Sequence, residues 1–283
     1  MEHARKANEE QATHWNDAGG RGWVETQELV DSFLKPFENL LVEAVAAEGA
    51  KSVLDVGCGT GGTTLAVARR LGAKVRCVGI DISEPMIAAA RGRAEAQALT
   101  ANFVRADAQV HAFEAAGFDM IVSRFGVMFF DDAVSAFANL RRAATGGAKL
   151  WCIAWRSTAE NPFMTTAERA AAPLLPKLPV RRPDEPGQFA FADRDRVSTI
   201  LEKSGWNEID IRPIDVVCTM PETELMRYLT WLGPVGRILQ KEDDLNRRNI
   251  FDTIRPAFDP YVHGTDVRFT AACWLVSARA ISS

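Results

Sequence analysis

The chain has 283 residues, of which 47% are hydrophobic and 25% charged, and its formal net charge is −4 at pH 7. This length and composition are typical of one large globular α/β domain with insertions. The acidic balance argues against a nucleic-acid partner, because phosphate binding requires clustered Lys and Arg. The apolar runs fall far short of the ~18 residues that span a bilayer, so we expect no membrane partner.

The amino terminus and the cysteines indicate a cytoplasmic protein. Residues 1–15 lack the apolar segment of a secretory signal. The five cysteines are odd in number and scattered, mostly within strand-like runs, which favours reduced, buried thiols. No Cys/His grouping has zinc-site spacing, so we expect no metal. The Arg-Arg pairs at 141–142, 181–182 and 247–248 are expected to lie on solvated faces.

Between residue 50 and about 155, short β-rich runs alternate with Ala- and Leu-rich amphipathic segments. This alternation predicts a parallel sheet that is covered by helices on both faces, with right-handed crossovers. Ser83 is the expected N-cap of the second helix, with Pro85 near its start. The predicted strands are 51–56, 75–80, 101–107, 118–124 and 148–155, and the predicted helices are 63–71, the segment after Ser83, and 131–144.

The regular alternation of predicted strands and helices ends after residue 156. Six prolines between 162 and 186 exclude one continuous helix over 157–192, where a short helix and a Pro-rich loop are predicted. A helix at 193–205, a sixth strand at 206–218, a helical segment at 222–260 and a last strand at 267–280 follow. A helical segment inserted before the last strand indicates a cap over a ligand crevice.

The segment VLDVGCGTGG at 53–62 joins the first strand to the first helix of this pattern. Its glycines let the backbone approach a ligand and leave the N–H groups of the next helix free. The spacing Gly57-x-Gly59-x-x-Gly62 matches a dinucleotide-binding turn, and Asp81 ends the second strand where a ribose-binding acid belongs. Both NAD and S-adenosylmethionine (SAM) explain these features.

Asp55 distinguishes the two ligands. Its carboxylate would lie beside a bound pyrophosphate, where like charges roughly 4 Å apart repel by about 4 kcal/mol at an effective dielectric of 20. SAM carries an ammonium and a sulfonium but no phosphate, so the same carboxylate favours SAM. Asp107 ends the third strand and can accept a hydrogen bond from an adenine amine. Three acids therefore end successive strands at the edge where open α/β sheets bind ligands.

Four motifs resemble those of class I SAM-dependent methyltransferases, most closely the small-molecule group of the ubiquinone and menaquinone C-methyltransferases. They are DVGCGTG (55–61), GIDIS (79–83), RADAQ (105–109) and FDMIVSRFGVMFF (118–130). The resemblance covers residues 50–155 well and 193–280 loosely. It implies a Rossmann-like, seven-stranded, mostly parallel sheet with helices on both faces and an antiparallel last strand.

The resemblance also implies a division of the chain by role. Residues 1–48 are expected to form a helical lid. Residues 49–283 would be the methyltransferase domain, with insertions at about 157–192 and 221–262 that cap the acceptor site. Trp23 lies in an aromatic, Gly-rich and hinge-like segment, and its ring would favour the sulfonium by ~0.5–2 kcal/mol. Insertions of this length often mediate dimers, so a homodimer stays open.

The same resemblance assigns cofactor contacts by strand. Asp55 and the backbone of Gly57 and Gly59 would hold the methionine moiety. Asp81 would bind the ribose hydroxyls, with Ile82 against the adenine, and Asp107 and Ala108 would bind the adenine edge. Ser123 and Arg124 would line the methionine side by backbone or side chain. Cys58 is expected to fill space, because methyl transfer needs no covalent enzyme intermediate. The candidate cofactor-binding residues are Asp55, Gly57, Cys58, Gly59, Asp81, Ile82, Met86, Asp107, Ala108, Ser123, Arg124 and Trp23.

The implied reaction is in-line displacement, in which an O, N, S or C nucleophile of a small organic acceptor takes the methyl group and S-adenosylhomocysteine leaves. The protein would align and desolvate the reactants and, where required, remove a proton. His14, His263 and Tyr261 are the candidate bases. The segment SRFG follows the fourth strand in place of an NPPY-type element, which disfavours methylation of nucleobases or glutamine.

Two alternatives stay open at this stage. One is an NAD-dependent oxidoreductase, although the sequence has no YxxxK pair. The other is a SAM-binding module without catalysis, because binding motifs do not by themselves establish an acceptor site.

Overall fold

The computed structural model describes residues 2–176, 178–179, 181–182 and 185–281, with side chains from residue 9 onward. The strands are β1 (Ser52–Val56), β2 (Arg76–Asp81), β3 (Asn102–Arg105), β4 (Phe118–Arg124), β5 (Ala144–Trp155), β6 (Asn207–Pro221), β7 (Val262–His263) and β8 (Asp266–Arg279). The α-helices are α1 (Glu2–Asn16), α2 (Ala18–Glu25), α3 (Gln27–Phe33), α4 (Lys35–Ala47), α5 (Gly62–Leu71), α6 (Glu84–Ala96), α7 (Ala133–Ala143), α8 (Pro162–Ala171), α9 (Arg194–Lys203), α10 (Leu225–Trp231), α11 (Gly233–Leu239) and α12 (Asp244–Ile254). Short 3₁₀ turns cover Val127–Phe129, Glu222–Glu224 and Arg255–Tyr261.

One sheet runs through the molecule in the order β3-β2-β1-β4-β5-β8-β6. Pairing is parallel from β3 to β5, whereas β8 is antiparallel to both β5 and β6. The predicted seven-stranded, mostly parallel sheet with an antiparallel last strand is therefore confirmed. The two-residue strand β7 pairs with β8 and was not predicted, because two residues carry no periodicity.

The strand order places a crevice at the carboxyl end of β1. β1 lies between β2 and β4, so the chain leaves it in one direction and returns on its other side after β3. Asp55 is paired with Gly79 of β2 on one side and with Val122 of β4 on the other. In open α/β sheets, ligands bind outside the strand ends at such a reversal.

Helices α6, α7 and α9 begin at side-chain caps. The Ser83 hydroxyl accepts a hydrogen bond from the Met86 N–H, and Asp132 and Asp193 cap α7 and α9 in the same way. The predicted starts of these helices are thus confirmed to within two residues. β3 ends at Arg105 rather than 107, and β5 begins at residue 144 rather than 148, with an irregular register opposite the start of β4.

The two tryptophans of β5 have different environments. Trp155 is 5% exposed and its ring stacks on Phe125 with centroids 4.7 Å apart. Trp151 was expected in the core, but it is only half-buried, with the Arg212 guanidinium over its ring at 5.9 Å. The shared face predicted by their spacing does not ensure equal burial, because Trp151 lies farther from the covered carboxyl end of the sheet.

The glycines at 19–22 lie inside helix α2 and not in a hinge, contrary to expectation. A Cβ on Gly20 would lie 2.6 Å from the Ser83 Oγ, and one on Gly22 would lie 2.3 Å from the Trp231 carbonyl oxygen. The missing side chains therefore allow α2 to approach both the start of α6 and the end of α10. Among the described residues, no helix is long and apolar enough to cross a bilayer.

Asn161 connects the start of α8 to β8. Its side-chain amide donates to the Ala272 carbonyl at 2.9 Å and accepts from the Ala272 N–H at 2.9 Å. β5 ends at Trp155, so the Asn161 side chain continues the hydrogen-bond ladder of β8 beyond the end of its neighbour. It is 1% exposed.

We expect Asn161→Ala to lower the free energy of unfolding by about 2 kcal/mol, because the buried Ala272 N–H would lose its partner. Urea denaturation measures this change. The exposed Asn207→Ala is the matched control, with an expected change within about 0.5 kcal/mol. Equal stability of the two variants would contradict the role of Asn161.

Candidate active site

A cavity of about 730 Å³ opens at the carboxyl edge of the sheet. It is lined by the ends of β1, β2 and β4, by the amino-terminal helices, and by the segment that includes α10 and α11. A cavity of this size lies in the range that holds a cofactor together with a small molecule.

The Gly-rich turn forms the floor of this cavity. Gly57 and Gly59 have φ values of +65° and +54°, in the left-handed region that favours glycine. A Cβ on Gly57 would lie 2.6 Å from the Gly126 Cα, and a Cβ on Gly126 would lie 2.5 Å from the Val56 carbonyl oxygen. The turn after β1 and the loop after β4 are therefore packed backbone against backbone.

Asp81 is held at the end of β2 by two backbone donors. Its Oδ2 accepts from the Gly59 N–H and its Oδ1 from the Ser83 N–H, both at 2.9 Å. Burial raises the pKa of Asp81, and these hydrogen bonds partly offset the effect. Each carboxylate oxygen has a further lone pair, so Asp81 is oriented to accept hydroxyl donors from the cavity.

Asp55 is 2% exposed, and its Oδ2 accepts from the Thr64 hydroxyl at 2.6 Å. Burial raises the pKa of Asp55 to about 6, while Thr64 and Arg124 act in the opposite direction. The carboxylate is therefore mostly ionised at neutral pH and lines the cavity beside the turn.

Arg124 places an unused donor next to this carboxylate. Its Nη1 is buried and has no hydrogen-bond partner among the described residues. Its Nη2 lies 3.7 Å from the Asp31 Oδ1, and Asp31 in turn pairs with Arg93 at 2.6 Å. The sequence analysis did not predict a role for Asp31. It lies in α3, far in sequence from Arg124, and the α3 sequence gives no signal that the two side chains meet.

The remaining cofactor candidates surround the same space. Ile82, Met86, Asp107, Ala108 and Trp23 all line the cavity. The Asp107 Oδ1 accepts from the Gln109 N–H at 2.9 Å, which fixes the orientation of the carboxylate. Cys58 also lines the cavity, and burial raises the pKa of its thiol well above the ordinary value, so the thiol is un-ionised at neutral pH.

Three candidates lie elsewhere. Ser123 is absent from the described lining; its hydroxyl donates to the Val56 carbonyl at 2.7 Å and accepts from the Gly126 N–H at 3.1 Å. The Ser123 side chain therefore holds the two backbone segments together. Tyr261 packs on Phe163, and His263 is exposed on β7, so neither belongs to the described lining. Tyr261 ends the 3₁₀ turn before β7, and His263 lies in β7, which pairs with the start of β8.

His14 is the candidate base that does line the cavity. Burial, followed by the charge of Arg237, lowers the pKa of His14 to about 4. It is therefore neutral at physiological pH and a weak base. In the described part of the chain, no group of three or more His, Cys, Asp and Glu side chains is arranged to hold a metal ion.

The backbone after β4 is unusual at Phe125, which has φ +65° and lines the cavity. A non-glycine residue in this region is uncommon, and such strain is concentrated at functional sites. The Phe125 N–H donates to the Ile153 carbonyl at 3.0 Å, and its ring stacks on Trp155. Sequence periodicity gives no signal for this conformation.

Comparisons with known proteins agree with this site. Residues 53–147 match the family model described as a methyltransferase domain. The nocamycin O-methyltransferase of Saccharothrix syringae is 33% identical over 212 residues, which are 70% of this chain and 74% of that protein. The chain belongs to the class I SAM-dependent methyltransferases. This membership decides between the two ligands of the Gly-rich turn in favour of SAM.

Two further similarities define the methyltransferase more closely. The demethylmenaquinone methyltransferase of Staphylococcus haemolyticus is 27% identical over 172 residues, 58% of this chain and 71% of that protein. This confirms the resemblance to the menaquinone group. The crystal structure of the YcgJ protein from Bacillus subtilis has the same fold, with a TM-score of 0.56 and 14% identity over 87% of this chain and 98% of that one.

The contact between the two glycine segments leads to a first prediction for the methyltransferase. Gly126→Ala should weaken SAM binding by about tenfold or more, because the new Cβ would displace the turn that holds the cofactor. Calorimetric titration with SAM measures the change. The exposed Gly92→Ala in α6, where a Cβ meets nothing within 4 Å, should leave SAM affinity unchanged. Normal SAM affinity in Gly126→Ala would show that the close contact is dispensable.

The raised pKa of Asp55 predicts a pH-dependent stability difference. Because its pKa is about 6 in the folded protein and 3.8 ordinarily, folding favours the protonated form. Ionised Asp55 therefore destabilises the fold above pH 6, by an amount on the order of 3 kcal/mol at pH 7. Between pH 6 and 4 this penalty disappears.

We expect Asp55→Asn to be more stable than the wild type at pH 7, and the difference to shrink as the pH falls towards 4. Urea unfolding of both proteins across this range measures it. The same variant should bind SAM more weakly at pH 7, since the ammonium loses its carboxylate. A stability difference that does not vary with pH would contradict the raised pKa.

Proposed function

We propose that this methyltransferase binds the amino-acid end of SAM between Asp55 and Arg124. This end carries an ammonium and a carboxylate on the same carbon, and NAD has no such group. A buried carboxylate beside a buried guanidinium with an unused Nη1 complements it. This pair of opposite charges is the observation that carries the proposal.

The other cofactor contacts follow from the strand ends. Asp81 would accept the ribose hydroxyls, and Asp107 with Ala108 would contact the adenine edge, with Ile82 and Met86 beside them. Asp31 lies near the proposed ammonium site and adds negative charge from the amino-terminal helices. Trp23 would pack on the cofactor from the same helices.

The reaction is methyl transfer to a small organic acceptor by in-line displacement. When bound, SAM supplies the electrophilic methyl group. The chain contributes alignment of the acceptor and exclusion of water through the aromatic walls at Phe125 and Trp155. Of the three candidate bases, His14 is the one that we place near the acceptor. Because it is a weak base, we propose that it forms a hydrogen bond to the acceptor.

We infer that residues 1–48 act as a lid and that 157–192 and 221–262 form a cap around the acceptor. Three hydrogen bonds that join the end of α1 to the loop after β2 support the lid. The Asn16 amide donates to the Ile82 carbonyl at 3.1 Å and accepts from the Glu84 N–H at 2.8 Å, and the Ser83 hydroxyl donates to the Trp15 carbonyl at 2.6 Å. A lid that is linked to the adenine side would close over bound cofactor.

We further propose that the protein acts in the cytoplasm, without a nucleic-acid or membrane partner. Its five cysteines are free and buried, which suits a reducing compartment. The net charge of −4 supports a small-molecule acceptor over nucleic acid. A homodimer stays a proposal that light scattering tests.

Calorimetry with SAM, S-adenosylhomocysteine and NAD tests the proposed function. We expect binding of SAM and S-adenosylhomocysteine and none of NAD. Asp81→Ala should lower SAM affinity by roughly 10- to 100-fold, because the ribose hydroxyls lose a charged acceptor. Asp252→Ala, at an exposed acid on α12, is the control and should not change it. NAD binding without SAM binding, or unchanged affinity in Asp81→Ala, would overturn the assignment.

A further inference from the structure

We propose that the methyl acceptor is an aromatic carboxylate and that Arg237 on α11 binds its carboxylate group. This inference rests on the proposed function, because it assigns the acceptor part of the same cavity. It concerns a different guanidinium from Arg124, which lies at the end of β4 and is already in contact with Asp31.

Arg237 lines the cavity from the cap and is partly buried. It makes no hydrogen bond or ion pair within the described part of the chain. A guanidinium has five donors and no acceptor, and burying it without a partner is costly. An anion that enters the cavity would supply the missing partner, and a carboxylate matches the guanidinium with two parallel hydrogen bonds.

The neighbouring charges leave Arg237 as the available cation. Arg181 lies close to it but is already neutralised by Glu168, with an Nε–Oε2 distance of 2.9 Å and a second bond between Nη2 and Oε1. Arg181 was expected on a solvated face, and it lines the cavity instead. Burial and the charge of Arg181 lower the pKa of Arg237, and Glu168 only partly offsets them.

The pKa of His14 also depends on the charge of Arg237. Burial and then the charge of Arg237 lower the pKa of His14 to about 4, and the charge of Asp17 offsets only part of this effect. Asp17 is itself paired with Arg21 at 2.5 Å and is exposed to solvent. An anion bound to Arg237 would remove this repulsion, so the pKa of His14 should rise when the acceptor binds.

The rest of the acceptor region indicates an aromatic body with an acidic nucleophile. Phe33, Trp155, Phe189, Tyr228 and Trp231 line the cavity. Burial raises the pKa of the Tyr228 hydroxyl, and His14 is a weak base. Neither group readily removes a proton at neutral pH, so an acceptor that ionises by itself, such as a carboxylic acid or an acidic phenol, fits best.

The test uses two probes with the same ring system, 3-hydroxy-2-naphthoate and the uncharged 3-hydroxy-2-naphthamide, titrated into protein saturated with S-adenosylhomocysteine. We expect the acid to bind about tenfold or more tightly than the amide. Arg237→Gln should abolish this preference, and Arg237→Lys should retain part of it. The control Arg268→Gln removes a half-exposed guanidinium that is paired with Asp266 at 3.0 Å and lies outside the described cavity lining, and it should retain the preference.

A second readout is the imidazole NMR spectrum, which is simple because the chain has four histidines. Adding the acid should raise the pKa of His14 in the wild type and leave it unchanged in Arg237→Gln. Equal binding of acid and amide, no binding of the acid up to about 10 mM, or a preference that survives in Arg237→Gln would overturn the proposal.

SAM binding by Arg237→Gln distinguishes failure of the acceptor assignment from failure of the proposed function. Arg237→Gln should bind SAM with wild-type affinity, because Arg124 and Asp55 hold the amino-acid end of the cofactor. Loss of SAM binding in Arg237→Gln would place Arg237 at the cofactor and would likewise overturn the acceptor assignment.

Discussion

The site depends on the contact between Gly57 and Gly126. β1 lies between β2 and β4, so the turns that follow β1 and β4 leave the sheet side by side. A side chain on either glycine would meet backbone atoms at 2.5–2.6 Å. Ser123 bonds to both segments and fixes their spacing. The acidic groups that face the cavity are positioned by this backbone contact.

Charges of alternating sign, mostly buried, connect the amino-terminal helices to the sheet. Asp31 on α3 contacts Arg93 on α6 and Arg124 at the end of β4, and the charge of Arg124 in turn stabilises ionised Asp55. Buried charges are costly unless each has a partner. Arg124 keeps one unused nitrogen, so the series is complete only when a ligand adds a negative group.

The helices inserted between β5 and β8 line another part of the cavity. Helices α10 and α11 follow the long strand β6, and α8 is attached to β8 through Asn161. These elements place aromatic rings and Arg237 in the cavity lining. Relatives named for an O-methyltransferase and for demethylmenaquinone share the domain. The names of these relatives differ in the acceptor, in keeping with the use of one fold for different substrates.

The sequence by itself determined the order of strands and helices, the parallel sheet and the cofactor edge. Those features depend on local periodicity, on caps such as Ser83, and on motifs whose residues are close in sequence. Only the tertiary structure decided that Asp31 meets Arg124, that Ser123 faces backbone, and that Tyr261 and His263 lie off the cavity. It also decided that Arg237 is unpaired while Arg181 is neutralised. Such properties depend on side chains that are far apart in sequence, and pairing and burial across those distances arise only when the elements pack.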